Sequence, residues 1–199
     1  GGRGFIFPYT MANTNNPQNY KINYKGNWET CRNIDKNKNC NIGLSGITVS
    51  TTDTLTSVSI KLRNKELPKY DFNKINIYHA LDSFSYKVRL VYPDTLIYRE
   101  ENFEDGITSI ILNEYTDSIK LEFRKTSAIQ NRFELYGFSL ETNDPGVIYH
   151  AIGVNGAETA SYLRCNLFES HLKALHPDLI IVSLGTNDAY PKYFNPKVF

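Results

Sequence analysis

From residue 47 the chain alternates between apolar and polar side chains. In "ITVSTTDTLTSVSIKLR" (47–63), Ile47 and Val49, then Val58, Ile60 and Leu62, stand between Thr, Ser and Lys. A period of two places every second side chain on one face of a strand. The same period returns in "KINIYHAL", "YKVRLVYP", "SIILNEY", "SIKLEFRK" and "FELYGFSLE", each bounded by Asn, Asp, Gly or Pro. No helical period occurs between them. The spacing predicts an antiparallel, jelly-roll-like β-sandwich over residues 42–142, with one wet face on each sheet.

The flanks read differently. Residues 1–41 are rich in Asn, Gly, Pro and Tyr without sustained periodicity, as in "MANTNNPQNY". Asn tolerates left-handed backbone and Pro stops regular pairing, so an ordered loop with at most short strands is expected there, leading into the sandwich. After "ETNDPG" (141–146) comes a third pattern. "GVIYHAIGV" and "DLIIVSLG" are continuous apolar runs. Between them, "ETASYLRCNLFESHLKAL" places Ala160, Leu163, Leu167, Leu172 and Leu175 near helical spacing. Strand, helix, strand, with both strands apolar throughout, predicts a partial α/β segment over 146–199, a βαβ unit of flavodoxin-like type. A lone βαβ unit leaves sheet edges and faces uncovered, so this segment needs partners that the chain does not obviously supply.

Composition narrows the function classes. A chain of 199 residues with 41% hydrophobic side chains can build a core. Its 22 basic and 21 acidic side chains are interspersed, so no electrostatic footprint for nucleic acid exists. No apolar run approaches the ~20 residues needed to span a bilayer. The opening "GGRGFIFPYT" lacks a methionine, and the chain is expected to be a piece of a longer protein. Cys31 and Cys40 lie close together in "TCRNIDKNKNC", while Cys165 stands apart. Either the first two form a disulfide in an oxidising compartment, or all three are free thiols; the sequence leaves both open.

Candidate chemistry sits at the ends of the two apolar runs, where open α/β sheets bind ligands. "GVNGAE" follows the first run and "GTND" the second. Glycine lets backbone N–H groups approach a ligand closely, and an Asn side chain offers uncharged NH₂ donors. Gly156 and Asn187 are therefore candidate donors to a developing oxyanion. The competing explanation is that both turns use Gly and Asn only for left-handed backbone. No cofactor and no metal site is expected.

These two turns resemble the second and third conserved blocks of the SGNH (GDSL-type) hydrolase family. Its third block, G-x-N-D after a buried strand, is matched by Gly185, Thr186, Asn187 and Asp188, and the second-block glycine by Gly156. The resemblance implies an oxyanion hole made by the Gly156 backbone N–H and the Asn187 side chain, with Gly185 and Asp188 holding the turn. It covers about a quarter of the chain. The opening segment and the sandwich resemble, in layout, a subgroup of secreted bacterial members. There a carbohydrate-binding-module-like β-sandwich is inserted between the first and second blocks, as in peptidoglycan O-acetylesterases. That likeness implies secretion to the periplasm or cell surface of a bacterium, and a carbohydrate ester as substrate.

The family's nucleophile block, G-D-S, and its catalytic D-x-x-H pair do not occur in the chain. His79, His150, His171 and His176 are expected to be structural or solvated. "GLSGIT" (43–48) falls one residue short of the G-x-S-x-G nucleophile elbow. "REENFED" (99–105) is expected to be a solvated loop; calcium binding there would need ligands from other segments. Tyr9, Tyr20, Tyr24 and Trp28 are expected in the core and sheets rather than on a sugar-stacking platform. Two functions result: part of a serine esterase acting on O-acyl carbohydrate, or a non-catalytic carbohydrate-binding or structural module. The oligomeric state is not readable from the sequence.

Overall fold

The computed structural model describes residues 4–14, 17–63 and 69–190. The extreme ends of the first and last predicted segments, 1–3 and 191–199, lie outside the described residues. Eleven strands form among the described residues. They are β1 (Gly4–Ile6), β2 (Tyr20–Lys25), β3 (Glu29–Arg32), β4 (Ile47–Thr51), β5 (Leu55–Leu62), β6 (Phe72–His79), β7 (Lys87–Tyr92), β8 (Leu96–Asn102), β9 (Ile107–Thr116), β10 (Ser118–Arg124) and β11 (Phe133–Glu141). They make two antiparallel sheets, ordered β3-β4-β11-β6-β9-β8 and β2-β5-β10-β7, with β1 also pairing to β11.

Alternation explains why the sheets stack. Along β5, Val58, Ile60 and Leu62 are buried, while Ser59 is half-buried and Lys61 exposed. Their cluster mixes residues of both sheets, including Val58, Ile60, Leu121 and Phe123 from one and Ile75, Ile77, Ile110 and Phe138 from the other. The Phe123 and Phe133 rings stack at 4.5 Å between centroids, and Trp28 meets both edge-on. β11 pairs with three strands, β6 along one edge and β4 then β1 along the other. The register with β6 shifts between Leu135 and Gly137, and a Cβ built on Gly137 (φ +148°) would lie 2.5 Å from the Phe5 ring. Glycine at this irregularity thus leaves room for the Phe5 ring of β1, which pairs alongside the strand.

The first forty residues are woven into these sheets. β1 joins β11, β2 joins β5 and β3 joins β4. Tyr9 and Tyr20 are buried in the core, and their hydroxyls donate to Gly153 O at 3.1 Å and Phe7 O at 2.8 Å. Trp28 is half-buried against the core, so of the four aromatics only Tyr24 is exposed. The charged "REENFED" stretch is no simple loop: its first four residues belong to β8, and Asn102 Oδ1 accepts the Glu104 and Asp105 N–H groups to turn the chain into β9.

The predicted α/β segment is corrected by the structure. Residues 147–152 and 179–184 enter no β-ladder, and no flavodoxin-like sheet forms among the described residues. Both runs lie open: Val147 is 98% exposed and Ile181 79%. Buried parallel strands need hydrogen-bond partners along both edges and cover on both faces. The two antiparallel sheets supply neither. The predicted crossover helix is also split, into α1 (Thr159–Tyr162) and α2 (Phe168–Ala174). Leu163, on its expected apolar face, is 85% exposed.

The cause of the split lies in the joint between the two helices. Asn166 Oδ1 accepts the Ile42 N–H at 2.8 Å, and Leu167 N–H donates to Ile42 O at 3.0 Å. The Asn166 side chain and the Leu167 backbone N–H bond outward to the β3–β4 connection, and Leu167 N–H is thereby lost to the helical ladder. That connection is closed by a disulfide between Cys31 and Cys40, while Cys165 is free and buried.

Candidate functional site

The first predicted turn is fastened at both sides by the core. Val154 and Ala157 are buried in the main hydrophobic cluster, and Ala157 N–H donates to Val154 O at 3.2 Å. Gly156 between them is exposed, with φ +81°. A Cβ there would meet only Ile34 Cδ1, at 3.9 Å, so left-handed backbone rather than crowding demands glycine. Gly185 opens the second turn at φ +111°, and Ala189 N–H closes it onto Gly185 O at 2.9 Å.

Two side chains join these turns across thirty residues of sequence. Asn187 Nδ2 donates to the Ala157 carbonyl at 2.8 Å. Asp188 accepts the Thr159 N–H with Oδ1 at 3.0 Å and Oδ2 at 3.1 Å. The Asn187 carboxamide therefore lies one residue from Gly156, while Asp188 ties the start of α1 to the GTND turn. An amide nitrogen carries two hydrogens. One holds Ala157, and the second is a donor of the kind that stabilises an oxyanion.

No nucleophile–base pair accompanies them among the residues singled out in the sequence. Ser45 of "GLSGIT" is buried, and its hydroxyl lies 2.9 Å from Ile47 O and 3.2 Å from Tyr136 O. The Cys165 thiol is pushed up to about 11 by burial, which keeps it protonated and poorly nucleophilic. His79 is pushed down to about 4 by burial, its ring held between Ala80 O and Thr108 Oγ1. His171, likewise pushed down to about 4 by burial, packs on the Tyr78 and Tyr136 rings. His150 Nδ1 accepts the Phe5 N–H at 2.9 Å, and burial lowers its basicity. His176 follows α2 with φ +46°.

Sequence reading missed the residue that fixes the C-terminal part to the sandwich. Arg164 Nη1 donates to Asn33 O at 2.8 Å, and Nη2 to Asp35 O and Lys38 O at 3.0 Å each. One guanidinium thus gathers three carbonyls of the disulfide-closed connection, whose Ile34 lies beside Gly156. The signal available in sequence was polar residues 164 and 166 interrupting a helical apolar face.

Among the described residues there is no cluster of His, Cys, Asp and Glu able to hold a metal, and no helix is long and apolar enough to cross a membrane. No protein-family model matches the sequence, and no curated protein matches it. Among solved structures, the chain is similar to a peptidoglycan O-acetylesterase at TM-score 0.58 and 16% identity. That match covers 98% of this chain and 50% of the esterase chain, so this chain spans half the length of its neighbour. A Streptococcus pneumoniae β-galactosidase structure also matches, at TM-score 0.42 and 9% identity, over 65% of this chain and 100% of the other. The first likeness is one of fold: nearly the whole chain follows the path of half an esterase structure.

Proposed function

We propose that this chain is part of a secreted SGNH-type serine esterase that removes O-acyl groups from a carbohydrate such as peptidoglycan. The observation that carries the reading is the hydrogen bond from Asn187 Nδ2 to Ala157 O, which sets the Asn187 carboxamide beside the Gly156 turn. The fold likeness to a peptidoglycan O-acetylesterase supports the same reading, and the disulfide fits an oxidising compartment. In the proposed reaction a serine hydroxyl loses its proton to histidine and attacks the ester carbonyl. The tetrahedral oxyanion then accepts from Gly156 N–H and from the second Asn187 N–H. Asp188 keeps the turn in register through Thr159. The serine, histidine and aspartate would come from polypeptide outside these 199 residues, as would the strands that cover 147–152 and 179–184.

The test uses the full-length parent protein and p-nitrophenyl acetate. Loss of one oxyanion donor costs about 10²–10³-fold in kcat, so Asn187→Ala is expected to fall by that factor with KM little changed. Wild-type turnover by the variant refutes the oxyanion assignment. His79 and His171 are buried with lowered basicity and the Ser45 hydroxyl is turned into the fold, so none of these three serves as the attacking group or its base.

A further inference from the structure

The first turn carries chemistry of its own, separate from any donation to a substrate. Asn155–Gly156 is the only Asn-Gly step in the chain. Its two residues are the middle of a four-residue turn that the Ala157 N–H closes on Val154 O at 3.2 Å. Gly156 holds φ +81°, as the third residue of a type II turn does. Val154 and Ala157 are buried in the main core, whereas Asn155 and Gly156 are both exposed. The turn is fastened at its ends and open to water at its centre.

That setting favours an attack within the chain itself. The side-chain carbonyl carbon of an asparagine can close a five-membered ring with the main-chain nitrogen of the next residue. A Cβ on that next residue ordinarily shields the nitrogen, and glycine has none. The surroundings of Gly156 are open as well, since a Cβ placed there would meet only Ile34 Cδ1, at 3.9 Å. With glycine on one side, the peptide unit between the two residues can rotate without driving a side chain into its buried neighbours. No other asparagine precedes glycine. Asn33 is buried, and Asn187 precedes Asp188 with its Nδ2 bonded to Ala157 O. Asn23 and Asn37 are exposed, but they precede Tyr24 and Lys38.

We propose that Asn155–Gly156 is a site of spontaneous deamidation, at which the protein modifies its own backbone. The Gly156 nitrogen attacks Asn155 Cγ. The N–Cγ bond forms, the Cγ–Nδ2 bond breaks, and ammonia leaves with the hydrogen that the Gly156 amide gives up. The product is a cyclic imide. Water then adds to one imide carbonyl. Opening the bond between nitrogen and Cγ leaves aspartate at position 155. Opening the bond between nitrogen and the main-chain carbon leaves isoaspartate, with the backbone routed through the former side chain. Base speeds ring closure, because the attacking nitrogen must lose its proton.

Each product alters the same donor. The imide has no N–H at position 156, isoaspartate displaces that N–H by one extra backbone carbon, and aspartate sets a negative charge beside it. This consequence rests on the esterase reading: an enzyme that uses the Gly156 N–H for its oxyanion loses that donor as it ages. The modification itself does not rest on it.

The test has two arms. In the first, the 199-residue chain is held in mildly alkaline and in mildly acidic buffer. Its peptides are followed over time by mass spectrometry, with fragmentation that separates isoaspartate from aspartate. The expected result is loss of the amide at position 155, faster in the alkaline sample, while Asn23 and Asn37 keep theirs. Asn155→Gln would need a six-membered ring and is expected to abolish the reaction at this position. Conversion at position 155 no faster than at Asn23 and Asn37 overturns the proposal, as does a rate that ignores pH.

In the second arm, the full-length parent is aged in the same way and assayed with p-nitrophenyl acetate. Modified molecules are expected to turn over about 10²–10³-fold more slowly, the loss of one oxyanion donor. Activity then falls in step with the modified fraction, while aged Asn155→Gln keeps its initial rate. Modification at position 155 with undiminished turnover overturns the link to the oxyanion donor. Wild-type turnover by Asn187→Ala refutes the esterase reading separately, because the mass readout does not depend on activity.

Discussion

The sandwich and the C-terminal fifty residues are both rich in aliphatic side chains, yet they use them in opposite ways. Ile75, Ile77 and Phe138 of the sandwich are fully buried, whereas Ile180, Ile181 and Val182 are exposed. The difference is periodicity. Alternating strands need cover on one face only, and a second sheet from the same chain provides it. Continuous apolar runs need cover on both faces and partners on both edges, which neither sheet supplies. The C-terminal part is held by polar anchors, Arg164 and Asn166 on the disulfide-closed connection, together with a few apolar contacts, Val154 and Ala157 in the main core and Leu167, Phe168 and Leu172 against the Tyr78 and Tyr136 face.

The comparison is broken most directly by a matched pair of substitutions. Phe133→Ala, in the stacked core, is expected to cost about 3–5 kcal/mol of stability in urea denaturation. Ile181→Ser, on the open run, is expected to cost under about 0.5 kcal/mol. Equal effects would mean that the run is buried in solution. Next in size, replacing Cys31 and Cys40 by serine is expected to lose about 2–3 kcal/mol. Hydrogen exchange should speed up at residues 157–174, because their anchor loses its closure; exchange confined to residues 31–40 would deny the coupling.

Acid sharpens the comparison, since each region holds one buried neutral histidine, His79 in β6 and His171 in α2. Their folded basicity lies below the ordinary value of 6.5, at about 4 each. The unfolded chain therefore binds more protons between pH 6.5 and 4, so stability falls as pH drops through that window. By pH 5 the loss is about 2 kcal/mol per histidine. His171→Gln is expected to remove half of this slope; an unchanged slope would mean that α2 opens without global unfolding. More local, Arg164→Met deletes the three-carbonyl contact and is expected to cost about 1–2 kcal/mol, read as faster exchange of α1 and α2 with the sandwich unaffected.

Strands were legible where apolar and polar residues alternate in the sequence, even in β4 and β11, which the fold buries on both faces. β4, β5, β6, β7, β9, β10 and β11 coincide with alternating stretches. β8, as an edge strand with almost every residue exposed, carries no apolar period and reads as a charged loop. β1, β2 and β3 are short and lie among Asn and Gly, so their pairing rests on partners more than a dozen residues away. The α/β expectation followed from correct patterns, but a pattern states what a segment needs and not whether the chain provides it. Asn187 and Gly156 were legible as candidates from turn chemistry; the acceptor that Asn187 finds, Ala157 O, was not.

By itself the amino-acid sequence determined a two-sheet antiparallel sandwich, because strand period and core face are local properties of consecutive residues. Tertiary structure alone decided that the crossover helix would break at 163–167, that Arg164 would gather three carbonyls, and that the GTND turn would close on the Gly156 turn. Those contacts join groups separated by 30 to 131 residues. Hydrogen-bond partners at such separations are chosen by where the sheets place the backbone, and no local spacing records that choice.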